Sequence, residues 1–457
     1  MSFKKAMSFV LAAALFVGVL GLSSCKNSVR TEQKDGFVYN VFSDHSELVT
    51  YTGSASVVSI PESLGGKSVT KIGECAFVSN KTLQSVSIPD TVIEIGAEAF
   101  GNCPLLKSVK MSKNVSTLGT DVFSYCHSLT EIDWSDVISL KNIPDKAFFK
   151  CIALQSVKFG NGIVKIGNHA FADCIELKSV ELTDKVVTID GFAFYGCTKL
   201  QNISGANGIV TVGASAFEAC STLKKFEFSQ SVKSIGERAF YGCLELSEFT
   251  LNNGLEEIKK EAFGKTAVKE ILLPDSILRL EGAFVGCEKL TTATLPQNTT
   301  KIPDDIFNGC VSLTEVKGTD NVTVIGARAF SNCRLLSNFD LPQRVVEIGQ
   351  YAFSQCIALK KLKFGENLKT VGEGAFYECL GISQIDFGKS VETIGPKAFE
   401  SCYALLELTL PASVTTVGDG AFKSCSYLQR ITILKEKGSL DTSKWGIGFS
   451  IRWKPEK

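Results

Sequence analysis

The sequence predicts an α/β solenoid, an elongated and curved body whose coils each supply a short strand and either a short helical turn or a second strand. Two observations predict this fold. A nonapeptide, IGAEAFGNC at residues 95–103, returns lightly altered as IGNHAFADC at residues 166–174 and IGARAFSNC at residues 325–333. The phenylalanine of this motif occurs sixteen times, and thirteen of the fifteen intervals are 23 residues, with one of 25 and one of 21. A unit this short cannot bury both of its faces alone, so stacked units must share one core. The repeat phenylalanines are Phe77, Phe100, Phe123, Phe148, Phe171, Phe194, Phe217, Phe240, Phe263, Phe284, Phe307, Phe330, Phe353, Phe376, Phe399 and Phe422.

Each unit divides into three elements, which the segment from residue 103 to residue 123 illustrates. Leu106, Val109 and Met111 form an L-x-x-V-x-M pattern, which predicts a short strand with alternate side chains directed inward. A turn follows, often with proline, and then a second apolar pair of the form V-x-x-[IVL]. The last element, x-x-A-F-x-x-C, predicts a short helical turn in which alanine allows close approach and phenylalanine fills the core.

The full pattern, [VI]xxIGxxAFxxCxxLxx[VIL]x[LIF]P, resembles the treponemal or BspA-type leucine-rich repeat of bacterial surface proteins. The resemblance extends over roughly residues 57–434, and the repeat array itself is assigned to residues 61–434. It implies a leucine-rich-repeat solenoid at the cell envelope that binds proteins, with adhesion to host, matrix or other cell-surface proteins as the expected role. The alternative function is a non-adhesive structural scaffold of the periplasm or envelope.

The N-terminus predicts export and lipid attachment. Lys4 and Lys5 precede an apolar run at residues 7–22, which is too short to span a membrane and is typical of a signal peptide. The run ends in Leu-Ser-Ser-Cys and resembles the lipobox of bacterial lipoproteins, which implies cleavage after residue 24 and acylation of Cys25. The alternative is an ordinary signal peptide cleaved nearby. Because Lys26 is not the aspartate that commonly retains lipoproteins at the inner membrane, the family analogy favours the outer membrane or cell surface.

Segments outside the array predict a tether and two caps. Residues 25–36 are polar after the cysteine and read as a flexible tether between lipid and folded body. Residues 37–60 alternate in polarity and predict an N-terminal cap hairpin, and residues 435–457 predict a C-terminal cap. In the latter, Trp445 with Phe449, Ile451 and Trp453 is expected to close the end of the core rather than to bind a ligand.

The cysteines predict a ladder of buried thiols, one per coil. Stacked units point equivalent side chains in parallel, so neighbouring cysteines would not face each other for a disulfide. Scattered disulfides remain an alternative for an exported protein, and metal binding is disfavoured because no C-x₂₋₄-C pair is present. Fourteen of the sixteen cysteines lie three residues after a repeat phenylalanine: Cys103, Cys126, Cys151, Cys174, Cys197, Cys220, Cys243, Cys287, Cys310, Cys333, Cys356, Cys379, Cys402 and Cys425.

Composition argues against catalysis and nucleic-acid binding. Lys+Arg and Asp+Glu are equal at 48 each, so no strong field draws the chain to nucleic acid. Only three histidines occur, and His127 and His169 take different places in their units, so no nucleophile–base pair can be argued. We therefore expect neither an enzyme nor a cofactor or metal site, and the membrane contact is expected through Cys25 alone.

The outward positions of the predicted strands are the expected interaction face. These positions are small, polar or charged and carry no aromatic platform for sugars or bases. The sharpest basic cluster is Lys360, Lys361 and Lys363, a candidate surface for an acidic protein ligand, although a solvated face is the simpler explanation. Two units break the spacing: residues 134–144 carry an insertion, and residues 263–284 are shortened and are expected to bend the superhelix.

Overall fold

The computed structural model describes residues 29–337 and 339–454, which form a solenoid of about eighteen turns built from short, mostly parallel strands joined by turns, with almost no helix. The predicted leucine-rich-repeat solenoid is confirmed. The strands of the described residues, in chain order, are β1 (Arg30–Lys34), β2 (Phe37–Val41), β3 (Ser46–Tyr51), β4 (Val57–Ser59), β5 (Ser63–Leu64), β6 (Lys67–Ile72), β7 (Ser85–Ser87), β8 (Glu94–Ile95), β9 (Ser108–Lys110), β10 (Thr117–Leu118), β11 (Glu131–Trp134), β12 (Asn142–Ile143), β13 (Ser156–Phe159), β14 (Lys165–Ile166), β15 (Ser179–Glu181), β16 (Thr188–Ile189), β17 (Asn202–Ser204), β18 (Thr211–Val212), β19 (Ser234–Ile235), β20 (Glu257–Ile258), β21 (Glu270–Leu272), β22 (Arg279–Leu280), β23 (Thr292–Thr294), β24 (Lys301–Ile302), β25 (Glu315–Lys317), β26 (Val324–Ile325), β27 (Glu347–Ile348), β28 (Lys361–Lys363), β29 (Thr370–Val371), β30 (Gln384–Asp386), β31 (Thr393–Ile394), β32 (Glu407–Leu410), β33 (Thr416–Val417), β34 (Arg430–Ile433) and β35 (Ser450–Trp453).

Each coil presents three faces. The strand face carries the longer strands, and its ladders run β4-β7-β9, β11-β13-β15-β17, β21-β23-β25, β28-β30 and β32-β34-β35. The second face carries the two-residue strands, and its parallel ladders run from β6 to β10, from β12 to β22 and from β24 to β33. The turn face carries the A-F-x-x-C segments. Ladders along the coil stack let each unit satisfy its backbone groups against its neighbours.

The fold is mostly β rather than α/β: of the two alternatives expected for each coil, the second strand is present, whereas the segment predicted as a short helical turn is a series of tight turns. In fifteen of the sixteen repeat units two residues have positive φ, one two residues before the repeat phenylalanine and one two residues after it, such as Glu98 (φ 52°) and Asn102 (φ 57°). An α-helix cannot contain such residues at four-residue intervals. The described residues hold a single 3-10 helix, Ala206–Gly208.

Stacked aromatic rings form the core along the whole array. Consecutive repeat phenylalanines lie with ring centroids 4.9 Å apart for Phe77 and Phe100 and 6.1 Å apart for Phe284 and Phe307, with the other pairs between. Each phenylalanine N–H also donates to the next coil, as Phe171 does to the carbonyl of Ala193 at 2.7 Å. The side chains are almost completely buried, so each coil contributes one large aromatic ring to the continuous core.

The folded part of the chain begins at an earlier residue than the sequence indicated. Arg30–Lys34, placed by composition in the flexible tether, instead form β1 and pair antiparallel with β2. The turn between them is Asp35-Gly36, and both residues have positive φ, which is the signature of a tight hairpin. Strand β3 then pairs parallel with β6 and leads into the second face. Tyr51 stacks on Phe77 at 5.1 Å, so the hairpin covers the first ring of the core.

The C-terminal segment covers the other end. Trp445 is 1% exposed and meets the last ring, Phe422, at 6.2 Å, and its carbonyl accepts the N–H of Phe422. Trp445 therefore takes the position that a further repeat phenylalanine would hold after Phe422. Strand β35 adds parallel to β34, with Ile451 and Trp453 packed against the core.

The two spacing irregularities coincide with interruptions of the second face. The ladder from β6 ends at β10, and the next begins at β12, which lies within residues 134–144, the segment that carries the insertion. The ladder from β12 ends at β22 within the shortened unit and resumes at β24. Extra or missing residues shift the two-residue strands out of register with their neighbours, so pairing stops there.

Candidate functional site

The strand-face ladders are separated by four gaps, and in two of them the central residue of the intervening coils is phenylalanine. In the coils that form strands, this inward position holds a smaller residue, such as Val157, Val180 or Ile271. Phe226 and Phe249 take it in two adjacent coils, which on this face share an isolated bridge between Lys225 and Glu248 instead of a strand pair. Phe339 takes it in a coil whose described residues form no strand on this face. We call these three the strandless coils, since they lack a strand on the strand face although their second-face strands are formed.

Ring packing explains why these coils lack strands. The Phe249 ring stacks on Phe263 of the ladder at 4.6 Å with 7° between the planes. Phe226 lies between ladder rings, 5.3 Å from Phe217 and 4.9 Å from Phe240. A second layer of aromatic rings beneath the strand face needs more room than valine or isoleucine side chains. The backbone segments that carry these rings are therefore held too far from ideal strand geometry to pair with their neighbours.

Three grooves open at the strandless coils. The N-side groove, about 520 Å³, is lined by residues 225–228, 230 and 247–252. The middle groove, about 600 Å³, is lined by Phe249, Thr250, Leu251, Asn253, residues 270–275, Thr292, Thr294, Leu295, Gln297 and Lys317. The C-side groove, about 770 Å³, is lined by Thr319, Asp320, residues 339–344, residues 361–363, Gln384 and Asp386. The first two share Phe249, so the grooves form a series along one face.

The middle groove contains an exposed apolar side chain that the sequence pattern did not reveal. Leu272 lies on the outward side of β21 and is 70% exposed. It was missed because the shortened unit shifts the strand by one position relative to the repeat phenylalanine. The half-buried ring of Phe249 lines the same groove. Apolar side chains surrounded by threonine, asparagine and glutamine are typical of protein-binding surfaces.

The structure divides the predicted basic cluster. Lys361 and Lys363 line the C-side groove, whereas Lys360 is exposed outside its lining. Three carboxylates, Asp320, Asp340 and Asp386, line the same groove and balance Arg344 and the two lysines. Lys363 is also the in-register strand partner of Asp386. The surface is therefore mixed in charge, which favours a polar protein surface over a strongly acidic partner.

The fourteen repeat cysteines form a ladder of thiol–carbonyl hydrogen bonds. Each thiol donates to the carbonyl of the repeat phenylalanine in the preceding coil; Cys103 donates to Phe77 at 3.1 Å and Cys425 to Phe399 at 3.1 Å. The fifteen cysteines of the described residues are free. Burial raises the pKa of the Cys103 and Cys151 thiols to about 12, so they remain protonated donors. The equivalent bonds are those of Cys126, Cys151, Cys174, Cys197, Cys220, Cys243, Cys287, Cys310, Cys333, Cys356, Cys379 and Cys402.

The units without a repeat cysteine use other polar groups. Asn80 Oδ1 accepts the backbone N–H groups of Thr82 and Leu83, both at 2.9 Å. Thr266 is buried with its hydroxyl 3.4 Å from the thiol of Cys287. Cys75 lies before the first repeat phenylalanine and is half-buried, and burial followed by the charges of Glu98 and Glu74 raises its pKa to about 11.

The histidines have local partners rather than catalytic ones. His45 Nδ1 lies 2.7 Å from Asp44, and this hydrogen bond raises the pKa of His45. His169 stacks on Phe192 at 4.6 Å on the turn face, and burial lowers its pKa. His127 packs edge-on to Tyr125. Over residues 29–337 and 339–454, no group of three His, Cys, Asp or Glu side chains is arranged to hold a metal ion.

The predicted membrane attachment falls at the N-terminus. The lipidation site Cys25 and the signal peptide lie outside the described residues. Within the described part of the chain, no helix is long and apolar enough to cross a bilayer.

These features define a bacterial-type leucine-rich-repeat solenoid. The chain belongs to the BspA-type leucine-rich-repeat family, whose model matches six overlapping regions from residue 49 to residue 444. A leucine-rich-repeat protein from Bacteroides ovatus has a similar solved structure, with a TM-score of 0.67, 23% identity and coverage of 95% of this chain and 100% of that one. A leucine-rich cell surface protein from Faecalibacterium prausnitzii aligns over 95% of this chain and 97% of its own, with 22% identity and a TM-score of 0.42. A search of curated proteins returns no match.

Proposed function

We propose that this protein is a lipid-anchored component of the bacterial cell envelope, at the outer membrane or cell surface, whose strand face binds other proteins as an adhesin. The observation that carries the proposal is the series of three grooves on the strand face, in which apolar side chains lie among mixed charges. Such a surface suits a large protein partner engaged through many contacts. The family and the lipobox-like sequence ending at Cys25 support the envelope location.

The groove charges predict which variants weaken binding. Replacing Lys361 and Lys363 together by glutamate leaves three aspartates opposed by Arg344 alone. We expect this double variant to bind a protein ligand at least tenfold more weakly, since a partner complementary to the mixed charges of the groove would meet carboxylates where it had met lysines. The matched control replaces Lys107 and Lys110 by glutamate, because both are exposed on the strand face away from the grooves.

The test uses the full chain on cells and in solution. Protease is added to intact cells, and full chain is titrated onto immobilised host matrix proteins. Cleavage on intact cells, saturable binding and loss of binding in the Lys361/Lys363 variant support the proposal. Protection from protease together with no ligand would instead identify an internal envelope scaffold. Cys25→Ser should release the protein from the membrane fraction, because acyl chains at that position would be the only anchor proposed.

A further inference from the structure

We infer that the middle groove binds an extended peptide segment by adding it to the free edge of β21, with a large apolar side chain of the peptide packed against Leu272. This inference rests on the proposed protein-binding role of the strand face and names the form in which a partner would be recognised. The groove provides both requirements of strand addition, which are unpaired backbone groups and a site for alternate side chains.

Strand β21 is an edge strand inside the solenoid. It pairs with β23 on one side, in the register Glu270↔Thr292 and Leu272↔Thr294. On its other side, no backbone hydrogen bond joins residues 268–275 to residues 247–253, all of which the structure describes. A parallel strand directs its N–H and C=O groups alternately to its two sides, so half of those groups in β21 face the groove.

The missing backbone pairing beside β21 is confined to the strand face. In the same two coils, the second-face strands β20 and β22 remain paired, and the Phe263 N–H still donates to Ala283 on the turn face at 2.9 Å. The Ala267 N–H also donates to Leu246 at 2.9 Å just before the groove begins. Because the coils are held together on the other faces, the opening is a stable feature of the fold and does not depend on local unfolding.

Side-chain chemistry selects the peptide. A strand added beside β21 would place alternate side chains outward next to Leu272, and the intervening side chains towards the half-buried ring of Phe249. Leu272 is 70% exposed and would be covered by an apolar neighbour. The remaining walls include Thr250, Thr294 and Gln297, with two carboxylates, Glu270 and Asp275, and one lysine, Lys317. The fitting segment is therefore extended, with one large apolar residue among polar residues of low net charge.

Selection from a phage-displayed library of random linear peptides tests the inference on the full chain. Peptides enriched on the wild-type protein are titrated against Leu272→Asp and against Leu278→Asp. Leu278 is the matched control, because it belongs to the same coil and is 75% exposed but lies outside the middle groove. We expect at least tenfold weaker binding to Leu272→Asp and less than a twofold change for Leu278→Asp. Circular dichroism establishes that both variants are folded.

Backbone recognition is tested by N-methylation of an enriched peptide, one position at a time. Strand addition requires binding to fall at alternate positions, since only every second peptide N–H would face β21. Equal binding to wild type and Leu272→Asp, a flat N-methyl scan, or failure to enrich any peptide would overturn the inference. None of those outcomes bears on protease accessibility or matrix binding, so the proposed function would stand or fall separately.

Discussion

The Cys197 thiol donates to the carbonyl of Phe171 at 3.2 Å, and this relationship joins two neighbouring coils. The same carbonyl accepts the backbone N–H of Cys174 within its own coil at 3.2 Å. Phe171 in turn stacks its ring on Phe194 at 5.3 Å. A repeat phenylalanine therefore connects neighbouring coils through its ring, through its backbone N–H and, in fourteen of the sixteen units, through its carbonyl, to which a cysteine of the next coil donates.

Removing one thiol from the ladder should destabilise the protein. Cys197→Ala deletes a buried donor and leaves a small cavity, so we expect the free energy of unfolding to fall by about 1–2 kcal/mol. Urea denaturation followed by tryptophan fluorescence measures it. Cys75→Ala is the control, because Cys75 is half-buried and outside the ladder, and should change stability by about 0.5 kcal/mol or less. Equal effects of the two substitutions would show that the thiol–carbonyl bond adds nothing.

The buried thiols should make the protein sensitive to alkali. Burial raises the pKa of Cys103 from 9.0 to about 12. Above pH 9 the unfolded thiol loses its proton while the folded thiol keeps it, so unfolding releases a proton and stability falls as pH rises towards the folded pKa. Each such thiol contributes a slope of about −1.4 kcal/mol per pH unit within this window.

A single substitution isolates that slope from the titration of lysine and tyrosine. Between about pH 9.5 and 11, the unfolding free energy of wild type should fall more steeply than that of Cys103→Ala by about 1.4 kcal/mol per pH unit. Below pH 8 the two curves should run parallel, because the thiol is protonated in both states. Parallel curves throughout the alkaline range would mean that Cys103 ionises in the folded protein.

The ring ladder should be the largest single contributor to local stability. Phe217 is completely buried between Phe194 at 5.3 Å and Phe240 at 5.2 Å. We expect Phe217→Ala to cost about 3–5 kcal/mol, and Phe217→Leu to cost less because more of the volume remains. Hydrogen exchange should show the loss of protection centred on the flanking coils, as nearest-neighbour stacking requires. Tyr427→Ala, at a side chain 65% exposed, is the neutral comparison, and a uniform loss of protection along the chain would contradict nearest-neighbour coupling.

The sequence predicted the core well because periodicity records burial directly. One phenylalanine at 23-residue spacing is sufficient to place the ring ladder, and the alanine and leucine positions follow from the same register. The turn face was predicted wrongly because glycine is the usual sequence signal for left-handed backbone. Here non-glycine residues such as Lys146 and Tyr351 hold most of those positions, so the residue types gave no signal.

The grooves could not have been predicted, although their causes are visible in the sequence. Phe226, Phe249 and Phe339 simply look like larger apolar residues at strand centres. Their effect depends on how Phe249 stacks on Phe263, which is a packing relationship rather than a pattern. Leu272 was hidden for a different reason, since the 21-residue interval moved it out of the register by which outward positions were assigned.

The left-handed turn positions give a prediction whose sign differs between two exposed lysines. Lys397 has a φ of 54°, where a side chain with a Cβ atom is strained by about 1–2 kcal/mol and glycine is not. Lys107 lies at the start of a strand segment and is absent from the left-handed positions. We therefore expect Lys397→Gly to leave stability unchanged or raise it by up to about 1 kcal/mol, whereas Lys107→Gly should lower it by about 0.5–1 kcal/mol.

Lys397→Val adds branching at Cβ and should lower stability by about 1–2 kcal/mol. Thermal and urea unfolding of the three variants measure these differences, and a loss of stability in Lys397→Gly as large as that in Lys107→Gly would show that the turn face does not require left-handed backbone there.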